Sequence, residues 1–352
     1  RDPVFNDDVA DDLGSRFPNV RLHRFAGANH LVMAEADVAG VAETWLAELV
    51  DGRLSAVTRR DPRPEPRSLW AALAARRDDR GEAFVDLAAG EAVSFAGLAE
   101  RVDAVASELH RQGLQPGDHV AMLTPPGIDL VAAVYGVWRA GGVTVIADRG
   151  LGLRGLGRAV RSARPKFVIG PRQARLAATA LRWAPRATRL DVTELVTATA
   201  GAVPVAPGSD DLAAVLFTSG ATGPAKGVRY THGQLAAQRD ALSSTYAITE
   251  ADRLVAAFAP FALYGPALGI PTALPDVDVT RPGLLAHDDV RAACEAIDAT
   301  LLFASPAALA NVVRTAGLQA ERLDGLRLVM SAGAPVAAEL LADVARLAPG
   351  AA

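Results

Sequence analysis

Between Ser94 and Gly113 apolar residues recur at helical spacing, so that Leu98, Val102, Val105 and Leu109 share one face. Ser94 stands where an N-cap hydroxyl accepts free backbone N–H groups, and Gly113 where a helix stops. Pro116-Gly117-Asp118 then turns the chain into a predicted strand over 119–123. The pattern next predicts a helix over 128–139, a strand over 143–147, a helix around 156–163 and a buried strand over 167–170. Residues 212–217 form another strand-like run. Strands over 300–303 and 326–330 follow, each preceded by a helical segment. This alternation predicts α/β layers, and no self-similarity appears at solenoid periods. The apolar region 120–147 is broken by Pro125, Pro126, Gly127, Asp129, Arg139 and Gly141, and is too interrupted to span a bilayer.

A shorter patterned piece comes first. Residues 20–25 read as a strand leading to a loop with His30. The helix that follows places Val38, Val41, Trp45 and Leu49 on one face. The segment RLSAVTRRDPRPEPR (53–67) combines successive X-Pro steps with dense charge. That composition fits an extended linker, or else an ordered surface loop. The expected division is therefore 1–50, a Pro/Arg-rich linker over 51–67, and a long α/β piece over 68–352.

Half of the 352 residues are hydrophobic, enough for sizeable cores. A net charge of −4 gives no basic field to favour nucleic acid or an anionic membrane. A single cysteine, Cys294, leaves no internal disulfide framework and fits a reducing cytoplasm. No signal peptide is recognisable. The chain begins at Arg1, already reading as the middle of a domain, and ends without a closing element, as expected of a fragment.

The chemistry concentrates at 216–232, LFTSGATGPAKGVRYTH. A strand-like run empties into small and hydroxyl residues with Gly220, Gly223 and Gly227. Glycines let successive backbone N–H groups approach an anion. Thr218, Ser219 and Thr222 add hydroxyl donors, and Lys226 adds a mobile point charge. Lys166 and Lys226 are the only lysines, against 34 arginines. A Walker-type P-loop needs Gly before its lysine and Ser or Thr after it. Ala225 and Gly227 occupy those positions, which excludes that motif.

FTSGATGPAKGV resembles the signature loop of the adenylate-forming superfamily, the acyl-CoA synthetases, luciferases and peptide-synthetase adenylation domains. The resemblance implies that Thr218, Ser219, Gly220, Thr222, Gly223, Lys226 and Gly227 hold the ATP phosphates that leave as pyrophosphate, with Mg²⁺ as a second cofactor. Ala221 replaces a usual hydroxyl, and Ala225 stands in place of the usual proline. GLQPGDHVAML, VWRAGGV and FASPAAL look like further blocks of the large N-terminal domain. Ser331-Ala332-Gly333-Ala334-Pro335 looks like the turn that borders adenine and the acyl pocket. Read by itself, that turn is equally an ordinary strand-to-helix connection. Phe261, Tyr264 and Phe303 are candidates for an apolar acyl pocket, or for plain core.

The first piece resembles the C-terminal strand, His loop and helix of an α/β-hydrolase of the haloalkane-dehalogenase-like branch. That implies His30 as general base and Asp2 as the acid orienting it. A lone loop histidine is otherwise structural, and Asn29 replaces a usual glycine. Together the two parts resemble the bifunctional olefin-biosynthesis proteins, a β-lactone decarboxylase joined to a β-lactone synthetase. FAPFALYGPALGIP fits that branch and lacks the Phe-His pattern of acyl-CoA ligases. The implied substrate is a 2-alkyl-3-hydroxy fatty acid, activated as acyl-adenylate and closed to a β-lactone, with other olefin-biosynthesis enzymes as partners. A fatty-acyl-CoA or acyl-AMP ligase, and an inactive nucleotide-binding module, remain alternatives. The family's Tyr-Gly-x-Thr-Glu strand, ribose-binding aspartate and C-terminal catalytic lysine are not in the sequence, and no metal ligand is assigned. The expectation is that these 352 residues alone do not form acyl-adenylate at a measurable rate.

Overall fold

The computed structural model describes residues 68–147, 149–201, 207–218, 226–278, 281–317 and 321–352. All lie in one compact unit, Glu65–Ala352. The expected hydrolase end with Asp2 and His30, and the expected linker, fall outside the described residues.

Two six-stranded sheets carry the unit. The first has the order β12-β11-β9-β10-β1-β2, built from Leu328–Met330, Leu301–Phe303, Leu254–Ala256, Thr272–Leu274, Glu82–Asp86 and Glu91–Ser94. The second has the order β6-β5-β3-β4-β7-β8, built from Thr188–Asp191, Phe167–Gly170, His119–Met122, Val143–Ala147, Leu212–Thr218 and Lys226–Thr231. Each sheet pairs five parallel strands and closes on one antiparallel edge strand, β2 or β8. The expectation of layered α/β structure is met. The helix Ile128–Arg139 and the strands Val143–Ala147 and Phe167–Gly170 have the expected bounds.

Twelve α-helices lie among the described residues. In chain order α1 is Ala71–Ala75, α2 Phe95–Arg111, α3 Ile128–Arg139, α4 Gly152–Ala163, α5 Arg172–Ala180 and α6 Val192–Val196. The second half supplies α7 His232–Thr245, α8 Ala259–Ala262, α9 Tyr264–Leu268, α10 His287–Ile297, α11 Pro306–Ala316 and α12 Ala338–Leu347. Helix α2 starts as its sequence predicts, with the Ser94 hydroxyl accepting from the Gly97 N–H at 3.0 Å. Its predicted apolar face, Leu98, Val102, Val105 and Leu109, is fully buried.

Helix α3 is apolar almost all round, and a helix of that kind must be covered on all sides. It packs on α2 and shares one continuous core with strands of both sheets, including Phe84, Leu254, Val120 and Phe167. The α2–α3 approach is close enough that a Cβ on Gly136 would sit 2.5 Å from the Val105 side chain. At the far end of α3, Trp138 Nε1 donates to the Ala213 carbonyl at 2.9 Å, and Thr144 Oγ1 donates to the same oxygen at 3.1 Å. Ala213 is the extra residue of a bulge, since Leu212 pairs with Thr231 and Ala214 with Tyr230. Two side-chain donors thus converge on the carbonyl of the bulged residue.

His232, the first residue of α7, is buried edge-on between Trp70 and Trp138, with ring centroids 5.9 and 6.4 Å away. Neither ring nitrogen has a hydrogen-bond partner among the described residues. Burial pushes its pKa down to about 4, against a smaller opposing pull from the Asp211 carboxylate. At the N-terminal end of the first sheet, buried Asp252 ties three strands together. Its carboxylate accepts from Arg327 Nε and Nη2, both at 2.7 Å, from Thr300 Oγ1 at 2.8 Å and from the Thr249 N–H at 2.9 Å. Burial alone would raise its pKa, but the Arg327, Thr249 and Thr300 hydrogen bonds outweigh that and hold it at about 2.

The two groups predict two windows of acid destabilisation, the lower one where Asp252 loses its charge as pH falls from the ordinary carboxylate value towards about 2. Below the ordinary histidine value near 6.5 the unfolded chain takes up a proton that folded His232 refuses until about pH 4. The unfolded state binds more protons, so stability falls as pH drops through that window, by roughly 3 kcal/mol in total. In urea titrations, His232→Phe should flatten the loss between pH 6.5 and 4.5; an unchanged slope would contradict this. Asp252→Asn at pH 7 should cost about 2–3 kcal/mol, because Arg327 loses its charged acceptor. A melting temperature equal to wild type would show that the network contributes nothing.

Candidate functional site

Strand β7 lies one place in from the edge of its sheet, beside β4, and a short connection can return the chain on its other side only as an antiparallel neighbour. Strand β8 does this, pairing Phe217 with Gly227 and Thr218 with Lys226. The glycine-rich loop of the sequence is thus the connection of a β-hairpin. Thr218 ends one strand and Lys226 opens the next, so the ladder holds both ends of 219–225. Ser219, Gly220, Thr222 and Gly223 lie within 219–225, outside the described residues.

Gly227 has a steric role at this point. A Cβ there would lie 3.0 Å from both Phe217 Cζ and Val215 Cγ1, so the residue after the lysine leaves room for the Phe217 ring. Beyond the hairpin, α7 starts at a reciprocal capping box. The Thr231 hydroxyl accepts from the Gln234 N–H at 3.2 Å, and Gln234 Oε1 accepts from the Thr231 N–H at 2.9 Å. The hairpin therefore passes without slack into a helix whose first residue, His232, is fixed in the core.

The aromatic candidates meet at the C-terminal end of the other sheet. Phe261 stacks on Phe303 with centroids 3.7 Å apart and planes 10° from parallel. Tyr264 lies 5.3 Å from Phe261, and Phe258 lies 6.0 Å from Phe303. Phe303 is buried, Phe261 and Tyr264 are half-buried, and Phe258 is exposed, so the group has one side in the core and one open. The Tyr264 hydroxyl donates to Gln238 Oε1 on α7 at 2.9 Å. This bond joins the aromatic group to the helix that follows the β7–β8 hairpin. Tyr135 braces the same segment, its hydroxyl donating to the Leu263 carbonyl at 2.5 Å. Burial raises the Tyr264 pKa above the ordinary phenol value, helped by nearby Tyr230.

Ser331-Ala332-Gly333-Ala334-Pro335 leaves β12 as an extended turn, with Gly333 at φ +103°. Its neighbour strand β11 ends at Phe303, and the Ala304 N–H donates to the Met330 carbonyl at 3.1 Å. The turn therefore borders the aromatic group. Ala332 to Pro335 are exposed, while the Ser331 hydroxyl is buried without a partner among the described residues. Both the hairpin and this turn follow the C-terminal ends of parallel strands, where open α/β sheets bind ligands. Gln238 and His232 were missed as site neighbours from sequence; only the position of His232 within 216–232 pointed to it. An open acidic groove lined by Asp86, Glu91, Asp276, Asp288 and Asp289 contains none of these residues.

Comparison with known proteins agrees with this geometry. The AMP-binding enzyme family model matches residues 71–352. The olefin beta-lactone synthetase of Xanthomonas campestris pv. campestris is 34% identical over 271 residues, covering 73% of this chain and 48% of that protein. A feruloyl-CoA synthase of Amycolatopsis sp is 30% identical over 255 residues, covering 71% of this chain and 51% of that protein. The chain thus spans about half the length of the curated relatives it matches. Among solved structures, ATP-bound MatB from Rhodopseudomonas palustris superposes with a TM-score of 0.69 at 24% identity, over 80% of this chain and 58% of that one. With two sheets of this order, the hairpin between β7 and β8 and a family match across the whole described unit, the chain belongs to the AMP-binding enzyme family.

Proposed function

We propose that residues 68–352 contribute to ATP-dependent activation of a 2-alkyl-3-hydroxy fatty acid and its closure to a β-lactone. The observation that carries this reading is the β7–β8 hairpin, with Thr218 paired to Lys226, in a chain 34% identical to an olefin beta-lactone synthetase over most of its length. The substrate carboxylate attacks the α-phosphorus of ATP, the bond to the β-phosphate breaks and pyrophosphate leaves. Thr218, Ser219, Gly220, Thr222, Gly223, Lys226 and Gly227 hold the departing phosphates through backbone N–H groups, hydroxyls and one cation. The substrate's 3-hydroxyl oxygen then attacks the acyl carbon, loses its proton and expels AMP. Ser331 to Pro335 border the nucleotide and acyl group, and Phe261, Tyr264 and Phe303 line the apolar side.

Mg²⁺ would enter with the ATP phosphates and offset their charge as pyrophosphate leaves. Residues 1–50, with His30 as base and Asp2 as its orienting acid, form the end of a hydrolase domain that decarboxylates the lactone to an alkene. Residues 51–67 link the two. The feruloyl-CoA synthase likeness supports a second reading, transfer of the acyl group to coenzyme A.

The product decides between the two. A protein containing these residues and spanning the relatives' full length, given a 3-hydroxy acid and ATP without coenzyme A, should yield lactone and AMP by mass spectrometry. Persistent acyl-AMP, or turnover only with coenzyme A, would sink the lactone reading. ATP binding without any pyrophosphate exchange would instead indicate an inactive module. In the same protein, Lys226→Ala should lower pyrophosphate exchange about 100-fold or more while leaving the melting temperature in place. Exchange at the wild-type rate would remove Lys226 from the phosphate site.

A further inference from the structure

The charge of this chain is not spread evenly. From Arg149 to Leu190 the sequence carries ten arginines, one lysine and no aspartate or glutamate. The remaining residues carry 25 basic side chains against 40 acidic ones. The overall balance of −4 therefore conceals a strongly basic block, and the expectation drawn from net charge does not hold for this part of the molecule.

The fold presents that block as one surface. Helices α4 and α5 and the turn after α5 bury Val160, Ala178, Trp183, Ala184 and Ala187 in one cluster against Ala121 and Val168 of the second sheet. Both helices thus cover the same sheet face and turn their other sides to solvent. Arg154, Arg158 and Arg161 follow one another at spacings of four and three along the exposed side of α4. Arg164, Arg172, Arg182 and Arg186, on the segments that follow α4 and on α5 and the turn after it, are exposed as well. None of these seven forms an ion pair among the described residues. By contrast, Lys166 is held by Asp118 at 2.6 Å, and Arg175 is bound to Asp191.

Three large apolar side chains stand among the arginines. Leu153 is 67% exposed, Leu176 58% and Leu181 46%. Nucleic acid offers these arginines mainly phosphate and sugar, with no apolar layer for three leucines spread over the face, and an acidic protein partner would meet them only with a matching apolar patch. A bilayer with anionic headgroups accommodates both features at once. Guanidinium groups pair with lipid phosphates, and leucines enter the headgroup–acyl boundary.

We propose that the outer face of α4 and α5 is a docking surface for an anionic lipid bilayer. The contact is peripheral, since no helix among the described residues is long and apolar enough to cross a membrane. It is independent of which product the active site makes.

The test is co-sedimentation of the 352-residue chain with vesicles. The chain should sediment with vesicles of equal parts phosphatidylglycerol and phosphatidylcholine, not with phosphatidylcholine alone, and added salt should release it. Each arginine near the surface is worth about fivefold in partitioning. The variant R154Q/R158Q/R161Q should therefore bind about 100-fold more weakly with an unchanged circular dichroism spectrum. If that variant fails to fold, R172Q/R186Q serves instead, with an expected loss of about 25-fold. Leu176→Ser with Leu181→Ser should weaken binding further at high salt. Equal binding to neutral vesicles, no binding at low salt, or wild-type binding by the folded arginine variants would each overturn the proposal.

Discussion

The packing of α3 against α2 between two sheets is the constraint from which the rest of this unit follows. A helix apolar on nearly every side has no stable place at a surface, so the sheets must close over it together. Gly136 sets how near the two helices lie, with Val105 filling the space a Cβ would need. One core then includes Phe84 and Leu254 from one sheet with Val120 and Phe167 from the other. Neither sheet can shift far without opening that shared interior, where a cavity or an overpacked contact costs kilocalories. The strand ends that carry the hairpin and the Ser331 turn inherit this rigidity.

Polar groups are placed at the points where packing alone leaves freedom. Asp252 collects Arg327, Thr300 and Thr249 at the end of the first sheet opposite the candidate site. Its role there is mechanical, fixing the register of short strands that have few ladder bonds of their own. At the site end two polar features stand out among the described residues. The Tyr264–Gln238 bond bridges the two halves, while Ser331 keeps a buried hydroxyl without a partner among the described residues. Free hydrogen-bonding capacity therefore remains at the end where a ligand would need it.

Much of this was legible in the sequence, and the remainder was not for identifiable reasons. The helix Ile128–Arg139 and the strand Val143–Ala147 are long, apolar and bounded by Gly or Arg, so periodicity located both ends. The strands Leu254–Ala256 and Thr272–Leu274 lie within stretches rich in Ala and Pro, whereas the equally short Leu301–Phe303 and Leu328–Met330 carry large apolar side chains that mark them as strands. The edge strand β2 was missed because its burial pattern follows from pairing with Glu82–Asp86, not from its own composition. The strands on either side of the glycine-rich loop, Leu212–Thr218 and Lys226–Thr231, form the hairpin that carries it. The Tyr264–Gln238 contact joins residues 26 positions apart, and nothing local announces it. His232 lay inside the motif, but its neutrality depends on Trp70 and Trp138, both distant in sequence.

The bulge at Ala213 has a geometric effect at the opposite end of its hairpin. Bulges in antiparallel pairs can migrate, and a migration of one residue turns every later side chain to the other face. Here the indole of Trp138 and the hydroxyl of Thr144 grip the Ala213 carbonyl, so the extra residue cannot travel along β7. Five residue pairs further on, that same count determines that Lys226 meets Thr218 and not its neighbour. A tryptophan in the core thus acts as an index pin for the ladder. The register in which the hairpin closes is decided in the interior.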